Sequence, residues 1–236
     1  MSFLKYPFWE VFVHSFSSEV WADVLPSIWE TLYMTIVSSA IMLVGGLLIG
    51  LVLMLTNPNG LIPVKPVHAV VGTIINALRS LPEMIMIILM IPVAQLLFGQ
   101  SYGTSSCIIA ISACLIPFYA RIVESSLLDI DRGVVDAAKS MGSTNAQIIF
   151  NVVIPETFPS LIRGFTTAVI SVISMTALSG MFGAGGLGDI AVRFGYQRFE
   201  HDVLLAAVYA LLVLVSLVQL VGNGLSHREL RRRALV

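Results

Sequence analysis

The sequence predicts an all-α integral membrane protein, with five transmembrane helices and a helical hairpin on the cytoplasmic side. Three observations carry this expectation. Of 236 residues, 57% are hydrophobic and 11% charged, whereas a soluble domain carries roughly 25% charged residues. Five apolar stretches are each long enough to cross hydrocarbon, which takes about 20 residues at roughly 1.5 Å each. One connection, of about forty residues, departs from the short loops elsewhere, and long loops in compact proteins tend to be functional. With 13 Lys and Arg against 14 Asp and Glu, the formal charge is -1. That balance offers no field to attract nucleic acid.

Residues 1–27 contain one basic residue, Lys5, and no pure apolar block, so they do not read as a cleaved signal peptide. Trp9, Phe12, Val13, Phe16 and Val20 recur at helical spacing, which predicts an amphipathic segment lying at a membrane surface. The membrane domain is expected over residues 28–225. Its spans are Thr31 to Leu55, Leu81 to Leu97, Ser105 to Val123, Ile162 to Phe182, and Val203 to Leu225. The second has a less apolar approach, Ala69 to Ser80, with Pro82 either kinking one long helix or marking where it enters the hydrocarbon.

Basic residues set the expected orientation, because cytoplasmic segments retain Lys and Arg. Lys65, Arg121, Arg132, Lys139, Arg228, Arg231, Arg232 and Arg233 would share one side, and Lys5, Arg193 and Arg198 the other. Five spans then place the N-terminus outside and residues 226–236 inside as a basic tail.

The long loop, about residues 124–161, carries readable helix signals. Asp131 can cap a helix through Met141, which Gly142 would stop; Thr144 and Gln147 match a capping box for a second helix. Pro155 and Pro159 are expected to end that helix. Asp136, Ala137 and Ala138 precede the glycine, and paired alanines let another protein surface approach closely. A knob that fits a partner's cleft and a surface hairpin with no partner both satisfy this pattern.

Asp136-Ala137-Ala138, three residues, Gly142, nine residues, then Val152-Val153-Ile154-Pro155 resembles the EAA loop by which permease subunits of bacterial ABC importers dock on their ATPases. It has Asp where Glu is usual and Ile154 where Leu is usual. Glu30-Thr31-Leu32-Tyr33-Met34, Asn76 through Pro82, Pro117 through Arg121 with Val123-Glu124, and Gly185-Gly186-Leu187-Gly188-Asp189 are similar to the methionine-uptake branch of that family. The resemblance covers roughly Ile28 to Gly224. It implies a type I importer core working as a homodimer, with two ABC ATPase subunits, an extracytoplasmic methionine-binding lipoprotein and surrounding membrane lipid as partners. It also implies ATPase coupling through Asp136, Ala137, Ala138, Gly142, Ile154 and Pro155.

No Walker G-x-x-x-x-G-K-[ST] occurs, so no cofactor is expected on this chain, and ATP with its Mg is expected on the partner. Gly183 through Gly188 satisfies G-x-G-x-x-G, but a dinucleotide fingerprint needs a preceding strand, and here it would follow a membrane helix. Gly185, Gly186, Gly188 and Asp189 instead suggest either a tight re-entry of the chain where a delivery protein docks, or close packing of helix ends. His14, His68, His201 and His227 show no metal-ligand spacing. Cys107 and Cys114 lie two helical turns apart, too far for a bridge within a helix.

The fourth span carries Thr166, Thr167, Ser171, Ser174, Thr176 and Ser179 among apolar residues. Such hydroxyls serve as interhelical glue or line a polar path. The importer resemblance brings Ser171, Ser174, Met175 and Leu178 forward as pathway and gate residues. Arg79 and Glu83 are four apart, and a mutual ion pair would offset the roughly 2.5–3.5 kcal/mol that a charge costs at bilayer depth. A substrate-preference role for Glu83 is the other reading.

Overall fold

The computed structural model describes residues 7–232; Lys5, Arg233 and the rest of the terminal tail lie outside them. All regular structure among the described residues is helical. Helix α1 spans Phe8–His14, α2 Ser18–Thr56, α3 Lys65–Ser80, α4 Glu83–Phe98, α5 Thr104–Leu128 and α6 Arg132–Ser140. Helix α7, Asn145–Ile148, runs through a π turn, Ile149–Val153, into α8, Ile154–Ser179. After a 3-10 turn come α9, Gly186–Ile190, a second π turn, Ala191–Gln197, and α10, His201–Arg232.

Four helical stretches are long and apolar enough to cross a membrane: α2, α5, the run from α7 through the 3-10 turn, and α10. Each contains one expected span. The second span is built differently, as α3 and α4 bent by 106° at Leu81-Pro82; counted as one crossing, the pair makes five. Pro82 has no N–H and disfavours helical backbone at the residue before it. Leu81 is accordingly extended, with φ -75° and ψ 133°.

The amphipathic N-terminal segment is also divided. A turn at Ser15–Ser17 separates α1 from α2, so Val20 belongs to the next helix and is buried, while Trp9, Val13 and Phe16 are exposed. Phe16 stacks on Tyr209 with centroids 5.4 Å apart, and His14 meets Asp202 at 2.7 Å.

Two compact units are interleaved along the chain. The first takes the stretch up to Ala40, Pro82–Cys114 and Val169–Val218. Its core joins Val20 and Val24 to Leu187, Ile190, Val203 and Ala206, and a smaller cluster joins Met34 to Cys107, Ile108 and Ala184. The second takes Ile41–Leu81, Leu115–Ala168 and the chain from Gln219. Here Gly46 and Gly50, four apart on α2, let α5 approach: a Cβ on Gly50 would lie 2.7 Å from the Ala120 carbonyl oxygen. Small residues at this spacing let membrane helices pack backbone to backbone.

Candidate functional site

The loop expected between the third and fourth spans folds as the hairpin its capping signals predict. Asp131 caps α6 by accepting the Gly133 N–H at 2.8 Å. The helix stops where Gly142 takes φ +82°, and the Ser143 N–H returns to the Ala138 carbonyl at 3.1 Å. A residue in left-handed conformation with this return bond satisfies carbonyls that the last turn leaves free. Thr144 then caps α7 reciprocally: the Gln147 N–H donates to Thr144 Oγ1 at 3.3 Å, and the Thr144 N–H donates to Gln147 Oε1 at 2.8 Å.

Two expectations about this hairpin are corrected. Ala137 and Ala138 do not form a paired small surface, because the 100° step of a helix separates their faces. Ala138 is buried and Ala137 exposed. The exposed apolar surface is a stripe of Val134, Ala137 and Met141, with Met141 80% exposed. Nor do Pro155 and Pro159 end the second helix. The α-ladder restarts at Ile154 after the π turn, so Pro155 falls in a first turn, where a missing N–H is tolerated best. Pro159 lies within the helix, and its carbonyl accepts the Ser226 hydroxyl at 3.2 Å. Ile154 and Pro155 are half-buried and Asp136 is exposed.

The glycine loop is a built structure of the first unit. Gly183, Gly185 and Gly186 all have positive φ, and no strand occurs among the described residues, so the dinucleotide reading has no structural support. The Gly186 N–H donates to Glu30 Oε2 at 2.6 Å, and the Leu187 N–H donates to Thr31 Oγ1 at 2.9 Å. Two adjacent α2 side chains thus cap α9. Gly186 and Gly188 are buried, Gly185 and Asp189 half-buried, and Asp189 pairs with Arg193 at 2.7 Å. These glycines therefore serve the loop's packing, while the nearby surface is formed by side chains such as Met181 and Tyr196.

In α8 the hydroxyls of Thr166, Ser174, Thr176 and Ser179 bond back to carbonyls of their own helix, at 2.7 to 3.2 Å. That satisfies them locally without bridging to other helices. Ser174 is exposed, Ser171 and Leu178 are half-buried, and Met175 is fully buried. Met175 is buried within the chain, while the other three keep surface exposure.

Arg79 and Glu83 stand on two helices either side of the 106° bend, so the continuous i,i+4 register that their pairing needed does not exist. The Arg79 guanidinium sits 6.0 Å from the Phe118 ring centroid. Glu83 occupies the first turn of α4, where the helix dipole favours a carboxylate.

A polar cluster in the second unit had no clear signal in the sequence. Arg121 Nη1 donates to Glu124 Oε2 at 2.6 Å, while Nη2 donates to the Gly72 carbonyl and to Asn76 Oδ1, each at 3.0 Å. Asn57 Nδ2 lies 3.5 Å from Glu124 Oε1, and His68 Nδ1 is 3.2 Å from the Leu53 carbonyl. Arg121 thereby ties α3 to α5. Only the spacing of Arg121 and Glu124, three apart on one helix face, hinted at part of it.

Four long apolar helices, a bent pair and an exposed capped hairpin define a polytopic integral membrane protein. Residues 46–232 match the family described as binding-protein-dependent transport system inner membrane component, and the chain belongs to that family. It is 36% identical over 204 residues to a probable D-methionine transport system permease protein, MetI, of Vibrio cholerae serotype O1 (strain ATCC 39315 / El Tor Inaba N16961), covering 86% of this chain and 91% of that one. It is 39% identical over 175 residues to the methionine import system permease protein MetP of Bacillus subtilis (strain 168), covering 74% and 79%. Among solved structures, the inward-facing MetNI methionine ABC transporter superposes with TM-score 0.87 at 34% identity, over 90% of this chain and 99% of that one.

Proposed function

We propose that this chain is the permease subunit of an ATP-driven methionine importer. The observation that carries the reading is the capped hairpin, Asp131 to Pro155, standing at the place of the EAA-like motif in a chain 36% identical to MetI across nearly its whole length. Two copies form the pathway, since five crossings enclose little space. Each copy presents its hairpin to one ATPase subunit, which binds ATP and Mg and supplies the chemistry. A methionine-binding lipoprotein delivers substrate beside the glycine loop.

Asp136, Ala137, Met141 and Gly142 meet the ATPase, and Ala138, Ile154 and Pro155 hold the hairpin in place behind them. Closure of the ATPases on ATP draws the two hairpins together, which the α7–α8 run carries into the membrane. The exposed Ser174 and half-buried Ser171 and Leu178 border the pathway. An apolar lining with few fixed charges suits release of a zwitterion whose thioether is flexible and polarizable. Counting α3 and α4 as one crossing, the basic bias places the N-terminus outside and the C-terminus in the cytoplasm.

Vesicles holding this chain with its ATPase and binding protein should accumulate labelled methionine only when ATP is on the side of the Arg228 and Arg231 tail. Uptake of a charged amino acid with none of methionine would overturn the substrate. An impermeant thiol reagent reaching cysteines placed at Ser2 and at Leu235 equally well in intact cells would overturn the orientation.

A further inference from the structure

Alongside α6, within the second unit, lies a recess of about 370 Å³. Its buried lining is apolar and includes Met54, Leu127 and Val153, with Leu128 beside them at the surface. Met54 stands in the last turn of α2, and Leu127 and Leu128 end α5. The recess therefore opens at the level where two membrane-crossing helices leave the hydrocarbon.

Its rim is charged. Arg132, Asp136 and Lys139 line it together, at the i, i+4, i+7 positions that share one face of α6. Among the described residues none of the three has an ion-pair partner. Asn59 adds a side-chain amide to the same lining. Two cations against one carboxylate leave one uncompensated positive charge, and Arg, Lys and the amide nitrogen all present N–H donors.

We propose that this recess holds the phosphate of an anionic phospholipid, with the glycerol and acyl chain roots against the apolar lining. A phosphodiester carries the single negative charge that the rim lacks, and its free oxygens accept from Arg132, Lys139 and Asn59. Basic pockets beside membrane helices recognise lipid headgroups by this chemistry. A zwitterionic phospholipid carries the same phosphodiester but adds its own ammonium, which Arg132 and Lys139 repel, and a free amino acid has no net charge to offer. Because the site lies on the face of α6 that carries Asp136, lipid occupancy would set the position of the hairpin. The assignment does not depend on which substrate is carried.

The test uses the full chain in detergent, with bound lipid counted by native mass spectrometry after adding phosphatidylglycerol or phosphatidylcholine. Phosphatidylglycerol should be retained in preference to phosphatidylcholine, and Arg132→Gln with Lys139→Gln should lower its binding by about tenfold or more. Asp136→Asn removes the one anion of the rim and should raise binding, a gain that damage to the fold would not produce. Equal retention of the two lipids, or unchanged binding in both variants, would overturn the proposal. Displacement of the lipid by glycerol phosphate at equal concentration would also overturn it, by making the occupant a soluble phosphate.

Discussion

The carboxylate of Glu30 accepts the Gly186 N–H at 2.6 Å across 156 residues of sequence. With Thr31 bonded to the Leu187 N–H beside it, two consecutive side chains of α2 satisfy the start of α9. Gly186 is required at that point: its φ is +79°, and a Cβ would press on Thr31 Oγ1 and Met34 Cε. The interaction fastens a short helix that could not hold itself, since five residues make little more than one turn.

Glu30→Ala should lower stability by about 1–2 kcal/mol by leaving the Gly186 N–H without its acceptor. Glu30→Gln keeps an acceptor oxygen and should lose less. Thermal unfolding in detergent, read by tryptophan fluorescence, orders the two; equal losses would show that the capping bond contributes nothing.

At Gly142 a Cβ meets nothing within 4 Å, so substitution acts through the backbone alone. Left-handed conformation costs residues with a Cβ about 1–2 kcal/mol, and Asn tolerates it best. Transport by Gly142→Asn should stay near the parent's, with Gly142→Ala lower and Gly142→Val lowest, while membrane insertion is unchanged in all three. Normal uptake by Gly142→Val would remove the hairpin turn from coupling.

Neighbouring alanines should fail in different ways. Ala137→Leu adds bulk to an exposed position, so the chain should fold and yet copurify with less ATPase. Ala138→Leu overpacks a buried position, at a cost of about 1–3 kcal/mol, and should reduce the yield of folded chain itself. Identical behaviour of the two variants would contradict the separation of their faces.

Two glycines of the second unit make a paired test of helix packing. Gly50→Ala would bring a Cβ within 2.7 Å of the Ala120 carbonyl oxygen, whereas a Cβ on Gly224 meets nothing. The first should destabilise by about 1–3 kcal/mol. The second, in the interior of α10, should stabilise by up to about 1 kcal/mol through helix propensity. Unfolding of the two variants side by side decides it.

The hairpin was the most legible part of the chain, because caps are local: Asp131, Gly142, Thr144 and Gln147 each act on backbone groups within four residues. The long apolar spans were legible for a similar reason, since hydrocarbon thickness dictates their length. Pro155 and Pro159 misled, because the sequence does not show that a π turn shifts the hydrogen-bond register just before them. Pro82 was expected either to kink one long helix or to mark its entry; with Leu81 extended, α3 ends there instead, and the Arg79 guanidinium lies over Phe118.

By itself the sequence determined that the chain is helical and membrane-embedded, where most of its spans run, and that a capped hairpin interrupts them. Composition, apolar length and capping chemistry act over a few residues or on the chain as a whole. Only the tertiary structure decided that Glu30 caps α9, that Arg121 bonds to Gly72 and Asn76 as well as to Glu124, that Ala138 and Met175 are buried, and that Arg132, Asp136 and Lys139 line a recess. Each of these depends on which helix faces pack together, and in an almost uniformly apolar sequence periodicity does not distinguish a face buried against protein from one turned to lipid.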